Sequence, residues 1–190
     1  MMIVYNDYIP PAPGPMYNPY NMYSGYTFPL YPYWPQTPMY NWKAPKPPIP
    51  LQDYGPHPYA VDIERATVQN DTFRTALWTG TYLQLTLMSI NAGDQIGLEM
   101  HPDVDQFIRI EEGQGLVKMG SAKDALQYQA HVYDGYAALI PAGIWHNVIN
   151  TGCTPLKLYS IYAPPNHPWG TVHRTKQEAE ESETHSHVYE

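Results

Sequence analysis

The residues after Tyr59 predict an all-β domain, a sandwich or closed barrel, and the residues before it predict a segment that builds no such layer. Three observations carry this: short runs in which apolar and polar residues alternate, turn signals between the runs, and no long helical pattern separating them. Leu83, Leu85 and Leu87 alternate with Gln84, Thr86 and Met88, and Ile108 and Ile110 alternate with Phe107, Arg109 and Glu111. Leu156, Leu158 and Tyr159 to Tyr162 form a further run. Asn91-Ala-Gly-Asp94, Glu112-Gly-Gln-Gly115, Tyr133-Asp-Gly135 and Asn150-Thr-Gly152 read as the turns.

Composition divides the chain. Of its 21 prolines 15 lie before Tyr59, together with 10 of its 18 tyrosines. Proline fixes φ and removes an amide donor, so residues 1–58 are expected to form a largely disordered Pro/Tyr-rich tail with extended segments. Its many aromatics and few charges suit an element that binds or co-assembles. In composition it resembles the Tyr- and Pro-rich segments of bacterial spore coats. Residues 59–174 are expected to form the barrel. Residues 175–190 follow as a short acidic helix, opened by the capping-box spacing of Thr175 and Glu178, and a frayed end.

A net charge of -8, with only 10 Lys and Arg spread along the chain, argues against nucleic acid and against an anionic membrane surface. No run of about 18 apolar residues and no basic-then-apolar N-terminus is visible, so the expected location is cytoplasmic, with the spore coat as alternative. Cys153 is the single cysteine. It forms no intramolecular disulfide and no thiolate zinc cluster, and its neighbours make it a turn residue.

Two spaced motifs carry the chemistry. Gly135, five residues, Pro141-Ala-Gly143, two residues, His146, three residues and Asn150 form one; Gly93, five residues, Glu99-Met-His101, four residues, Gln106, six residues and Gly113 form the other. Period-two geometry puts Glu99 and His101 on one side of their strand, Gln106 with Ile108 and Ile110, and His146 with Ile144 and Val148. Four polar groups then face inward, where unpaired polar atoms are costly and a metal ion satisfies all of them.

These motifs resemble those of the cupin superfamily, the second at every defining position and the first in spacing. Glu99 stands where the first motif has a His, and Gln106 where it has a Glu. The resemblance implies a cupin double-stranded β-helix, a jelly-roll barrel holding one divalent transition metal, and a homodimer. Glu99, His101 and His146 make two imidazoles and one carboxylate, with Gln106 a fourth ligand or a donor behind the metal. Ligand type favours Fe or Mn, then Zn or Ni. Two functions follow: a metal-dependent enzyme acting on a small molecule at the barrel mouth, an oxygenase or a mannose-6-phosphate isomerase-like enzyme, or a non-enzymatic binding or structural cupin. A cupin that has lost its metal, with the same residues merely hydrogen-bonded, is the plainer alternative. Lys118, Lys123 and Arg109 read as outer-face residues, which disfavours a phosphosugar. Asp103 and Asp105 read as turn residues at the mouth, or as a proton acceptor near the metal. His57 and His167 adjoin prolines and read as loop residues, His131 and His173 as outer residues, and His185 and His187 as part of the end. Trp78 and Phe107 read as outward apolar residues for the dimer to bury.

Overall fold

The computed structural model describes the backbone of residues 46–186 and the side chains of residues 46–182. Most of the expected tail, residues 1–45, lies outside the described residues, as do His185 and His187 as side chains. In chain order the elements are α1 (Ile63–Gln69), β1 (Arg74–Thr79), β2 (Gln84–Ile90), β3 (Asp105–Glu112), β4 (Gln114–Gly120), β5 (Tyr128–Tyr133), β6 (Ala137–Ile140), β7 (Trp145–Asn150), β8 (Leu156–Ala163), β9 (Val172–His173) and α2 (Lys176–Ser186). Antiparallel pairing joins the strands into a six-stranded sheet, β6-β3-β8-β2-β1-β9, and a three-stranded sheet, β5-β4-β7. This is the all-β arrangement that the alternating runs predict, and it agrees with the double-stranded β-helix that the motif resemblance implies.

Alternation decides what each sheet buries. In the larger sheet the pairs Met88–Leu158–Ile110, Thr86–Ser160–Ile108 and Gln84–Tyr162–Gln106 run side by side across β2, β8 and β3, and all of these residues are buried. Ile108, Ile110 and Leu158 share a core cluster with Val117, Val132 and Val148 of the smaller sheet. Each fully buried aliphatic side chain there contributes about 1.5–3 kcal/mol.

The opposite face of the larger sheet is covered by chain that composition assigns to the tail. Ala66, Leu77 and Leu87 form a second cluster, and Ile49, Leu51, Tyr54, Tyr59 and Ile63 pack against it. The ordered chain therefore reaches back before Tyr59. Prolines at 47, 48, 50, 56 and 58 do not stop the intervening apolar side chains from docking on a finished sheet, because an extended cover needs few backbone bonds of its own. Those it needs are supplied. Tyr54 N–H donates to the Leu77 carbonyl at 2.9 Å, and the Gln69 amide meets the Ile49 backbone at 2.8 and 2.6 Å. Buried Asp53 accepts from Gly55 N at 2.9 Å, Thr79 Oγ1 at 2.6 Å and Gly170 N at 2.9 Å.

Helix α1 is not expected from the sequence. Its N-cap is Asp62, whose side chain accepts from Arg65 N at 3.3 Å, and its buried face is only Ala66 and Thr67, too little for a visible helical period. Helix α2 starts where Thr175 predicts. Glu178 N donates to Thr175 Oγ1 at 3.2 Å, and the Glu178 carboxylate accepts from Arg174 N at 2.6 Å. It is not wholly solvent-facing, since Ala179 is buried in the main core cluster.

Starting the chain at Tyr59 instead of Lys46 removes Ile49, Leu51, Tyr54 and the Asp53 bonds, at a cost of about 3 kcal/mol or more. Thermal denaturation of the two chains should show the shorter one melting about 10 °C lower or more.

Candidate metal centre

The site is assembled by one short backbone pairing. Glu99 N donates to the His146 carbonyl at 3.0 Å, and His146 N donates to the Glu99 carbonyl at 2.9 Å. The chain around Glu99 and His101 is not the regular strand that the alternation suggests: its backbone pairs with β7 through the isolated bridges Gln95–Ile149 and Glu99–His146. Gly97, with φ at 110°, lies between the two bridges, and Pro102 follows His101. A left-handed backbone and a missing amide donor each break a ladder. The turn before β7 fixes the other half. Gly143 has φ at 78°, a region that favours glycine, and its N–H donates to the His101 carbonyl at 2.8 Å. Asp105 is the first residue of β3 rather than a turn residue; it is exposed and accepts from Ala142 N at 2.9 Å, and Asp103 is exposed too.

Glu99 Oε1 lies 3.2 Å from His146 Nε2 and 3.5 Å from His101 Nε2. The three donor atoms lie within 4.8 Å of one another. Imidazole nitrogen and carboxylate oxygen bind a transition metal at about 2.0–2.2 Å, which puts adjacent ligand atoms about 3 Å apart, so the spacing fits a single ion. The donor roles fit as well. His146 Nδ1 is 2.9 Å from the Ile144 carbonyl, which only accepts, so Nδ1 carries the proton. In the neutral ring Nε2 then presents a lone pair toward a carboxylate oxygen. Two acceptors at 3.2 Å repel unless a cation, either a second ring proton or a metal, lies between them. His101 Nε2 is likewise buried without a hydrogen-bond partner. His146 is 1 % exposed, while Glu99 and His101 keep 19 % and 14 %, which leaves access from their side.

Gln106 is buried on the same inner face, directly opposite Tyr162. Its Nε2 donates to Ser160 Oγ at 2.9 Å, which orients the amide and leaves Oε1 buried with no hydrogen-bond partner. The Tyr162 ring lies edge-on to His101, centroids 5.8 Å apart.

Electrostatics keep the centre anionic at Glu99. Burial raises its carboxyl, but the facing His101 and His146 rings and then the Arg74 charge outweigh burial and hold it well below the usual carboxylate range. Burial, opposed in part by Arg74, pushes the Tyr162 phenol up to about 12, so it stays protonated.

Other sequence readings divide. Arg109 pairs with Glu111 at 3.0 Å and Lys123 lies over the Trp145 ring at 5.6 Å, both away from the three donors. His57, His131 and Cys153 are exposed. Arg74 and His167 are what the sequence reading misses. Arg74 is 2 % exposed and its charge reaches Glu99 and Tyr162. His167 is on a loop, as expected, but its ring packs edge-on against Tyr162 at 5.0 Å and its Nε2 is shielded from solvent.

A cavity of about 760 Å³ is lined by Val117, Met119, Ala130, Val132, Tyr136 and Ile144 among others, by no charged side chain and by none of the three donors. Met119 is the register partner of His146, and Ile144 holds its Nδ1, so the cavity wall and the donor group share neighbours.

An antiparallel barrel with two imidazoles and a carboxylate converging inside defines a cupin with a possible metal site. The Cupin domain family matches residues 86–162, and the chain belongs to it. It is 68 % identical over 129 residues to an uncharacterized Bacillus subtilis protein, YrkC, covering 68 % of this chain and 69 % of that one. It is 41 % identical over 116 residues to an uncharacterized protein of Acanthamoeba polyphaga mimivirus, covering 60 % of this chain and 70 % of the other. A crystal structure of a Bacillus halodurans protein superimposes with a TM-score of 0.68 at 62 % identity, covering 68 % of this chain and 98 % of that one. Among the described residues no helix is long and apolar enough to cross a membrane.

Burial lowers the His167 imidazole from 6.5 to about 3, with the Arg74 charge adding to it. Below about 6.5 the unfolded chain takes up a proton there that the folded chain refuses until about 3. Stability is therefore full above that window and falls as pH drops through it. Denaturant unfolding at neutral pH and near pH 4.5 should show a smaller acid loss in His167→Gln than in the parent.

Proposed function

We propose that this chain is a mononuclear metalloprotein acting on a small molecule with an apolar body, with Glu99, His101 and His146 as ligands and Gln106 Oε1 as the fourth. The observation that carries the reading is the approach of His146 Nε2 and His101 Nε2 to one Glu99 oxygen, with His101 Nε2 and Gln106 Oε1 buried without a hydrogen-bond partner. Leaving such atoms unpartnered costs about 1–3 kcal/mol each, and a divalent cation satisfies them together. The ligand types favour Fe or Mn, then Zn or Ni. Such an ion supplies Lewis acidity, or a site for O₂ where coordination positions stay open.

The chain's own residues do the rest. The Ile144 carbonyl fixes the His146 tautomer, Ser160 turns the Gln106 oxygen inward, and Glu99 offsets one of the two ion charges. The uncharged cavity walled by Met119 and Ile144 supports an apolar substrate body and an oxygenase rather than an isomerase of phosphorylated sugars, whose phosphate calls for Arg or Lys.

Element analysis tests this after metal is offered and excess removed. The parent should carry about one equivalent, His101→Ala and His146→Ala less than about a tenth, and Gln106→Glu should bind a hard divalent ion more tightly by adding an anionic oxygen. Less than about a tenth of an equivalent in the parent overturns the reading in favour of a cupin without metal. Oxygen uptake by the loaded protein with candidate substrates separates enzyme from binding protein.

We also propose a two-fold homodimer. Leu139, Phe107 and Ile161 are consecutive register partners across β6, β3 and β8 on the outer face, and Leu139 is 71 % exposed. An apolar row at a sheet edge is a surface that a second copy can bury. Light scattering should give twice the chain mass, and Leu139→Lys should lower it toward one.

A further inference from the structure

The two sheets leave one side of the barrel open. β6 ends the larger sheet and β5 ends the smaller one, and among the described residues no ladder pairs these two edges. The inward side chains along the gap are small: Ala130 of β5 is the register partner of buried Val117, and Ala138 of β6 is buried beside Ile108. The cavity of about 760 Å³ lies here and opens past Tyr128, Tyr136 and Leu139, which are 59, 43 and 71 % exposed. Its volume suits a small molecule, whose pockets span about 300–1,000 Å³.

Register ties this cavity to the donor group. One row on the inner face of the smaller sheet runs Tyr128–Met119–His146 across β5, β4 and β7, and the His146–Glu99 bridge continues it. Tyr128 and Met119 line the cavity, while His146 and Glu99 do not. Met119 therefore stands in the row between cavity and donors, and adjacent strands are only about 4.8 Å apart. A molecule lying against Met119 has one end at the open rim and the other directed at His146.

The lining decides what that molecule is. No charged side chain lines the cavity, so an ionised body would lose its hydration without gaining a counter-charge. Aliphatic walls such as Val117, Val132 and Ile144 accept any apolar group, but three lining groups discriminate: the Tyr128 and Tyr136 rings and the Met119 thioether. Tyrosine rings gain from offset or edge-on contact with another ring, and thioether sulfur gains from packing against a ring. A saturated chain obtains neither contact.

We propose that the cavity takes the ring of a small uncharged aromatic molecule, seated against Met119 and Tyr128, with a ring substituent directed along the row toward His146. This names the substrate class of the reading above and rests on its apolar substrate body, whereas the ring site itself needs no metal.

Naphthol, a neutral two-ring phenol, and its saturated counterpart decahydronaphthol provide the test, in calorimetric titrations of the full-length chain with metal content measured on the same samples. The parent should bind one equivalent of naphthol, about fivefold or more tightly than the saturated alcohol, the worth of one or two ring contacts. Ala130→Trp puts a side chain where the ring sits and should weaken naphthol binding about tenfold or more. In a parent with isotopically labelled methionine methyls, the Met119 signal, assigned by its loss in Met119→Leu, should shift under the ring current of added naphthol. No naphthol binding, equal affinity for the two alcohols, or undiminished binding in Ala130→Trp overturns the proposal, and metal at one equivalent in the same samples leaves the metal reading standing. The expected preferences in a parent that takes up no metal support the aromatic site and overturn the metal centre. If Ala130→Trp does not fold, the Met119 methyl decides in its place: a shift supports the seat, and an unmoved signal at saturating naphthol overturns it.

Discussion

The paired backbone bonds between Glu99 and His146, 3.0 and 2.9 Å, set the register on which the site depends. With that register both side chains fall on the inner face. A slip of one residue would turn His146 out and bring a neighbour in, because side chains alternate with period two. Few strand bonds defend this register, so side-chain amides do. Asn147 Nδ2 donates to Gln95 Oε1 at 2.8 Å, and Asn147 Oδ1 accepts from Gly97 N at 3.3 Å. Asn150, the last motif residue, donates through Nδ2 to the carbonyls of Ile90 and Thr154 at 2.9 and 2.8 Å. These amides clamp the end of β7 to its neighbours.

What the sequence reveals and what it hides follow one distinction. The strands, the turn glycines at 135 and 143 and the inward direction of Gln106 and His146 depend on local alternation and backbone geometry, which spacing displays, whereas Glu99 is placed by an isolated bridge to His146 rather than by a regular strand. Arg74 and His167 depend on distant partners. Arg74 is in a strand, Arg74–Thr79, whose buried pattern has no polar alternation to mark it. His167 looks like a residue between prolines until Gln84, 83 positions earlier, is seen to hold its backbone. The cover from Lys46 to Pro58 is hidden for a related reason: its composition is that of an extended segment, and extended it is, but over a sheet that the sequence leaves nameless.

The three inner rows of the larger sheet grade along the strands. Met88, Leu158 and Ile110 are apolar, Thr86, Ser160 and Ile108 mixed, and Gln84, Tyr162 and Gln106 polar. Cohesion and chemistry thus occupy different storeys of the same barrel. The lower storey supplies the hydrophobic free energy, so the upper one is free to carry atoms that no protein partner satisfies, as at Gln106 Oε1, without endangering the fold. In such a building the upper floor can be refurnished while the foundations stay put, and an exchange as large as a carboxylate for an imidazole at position 99 is a change of fittings.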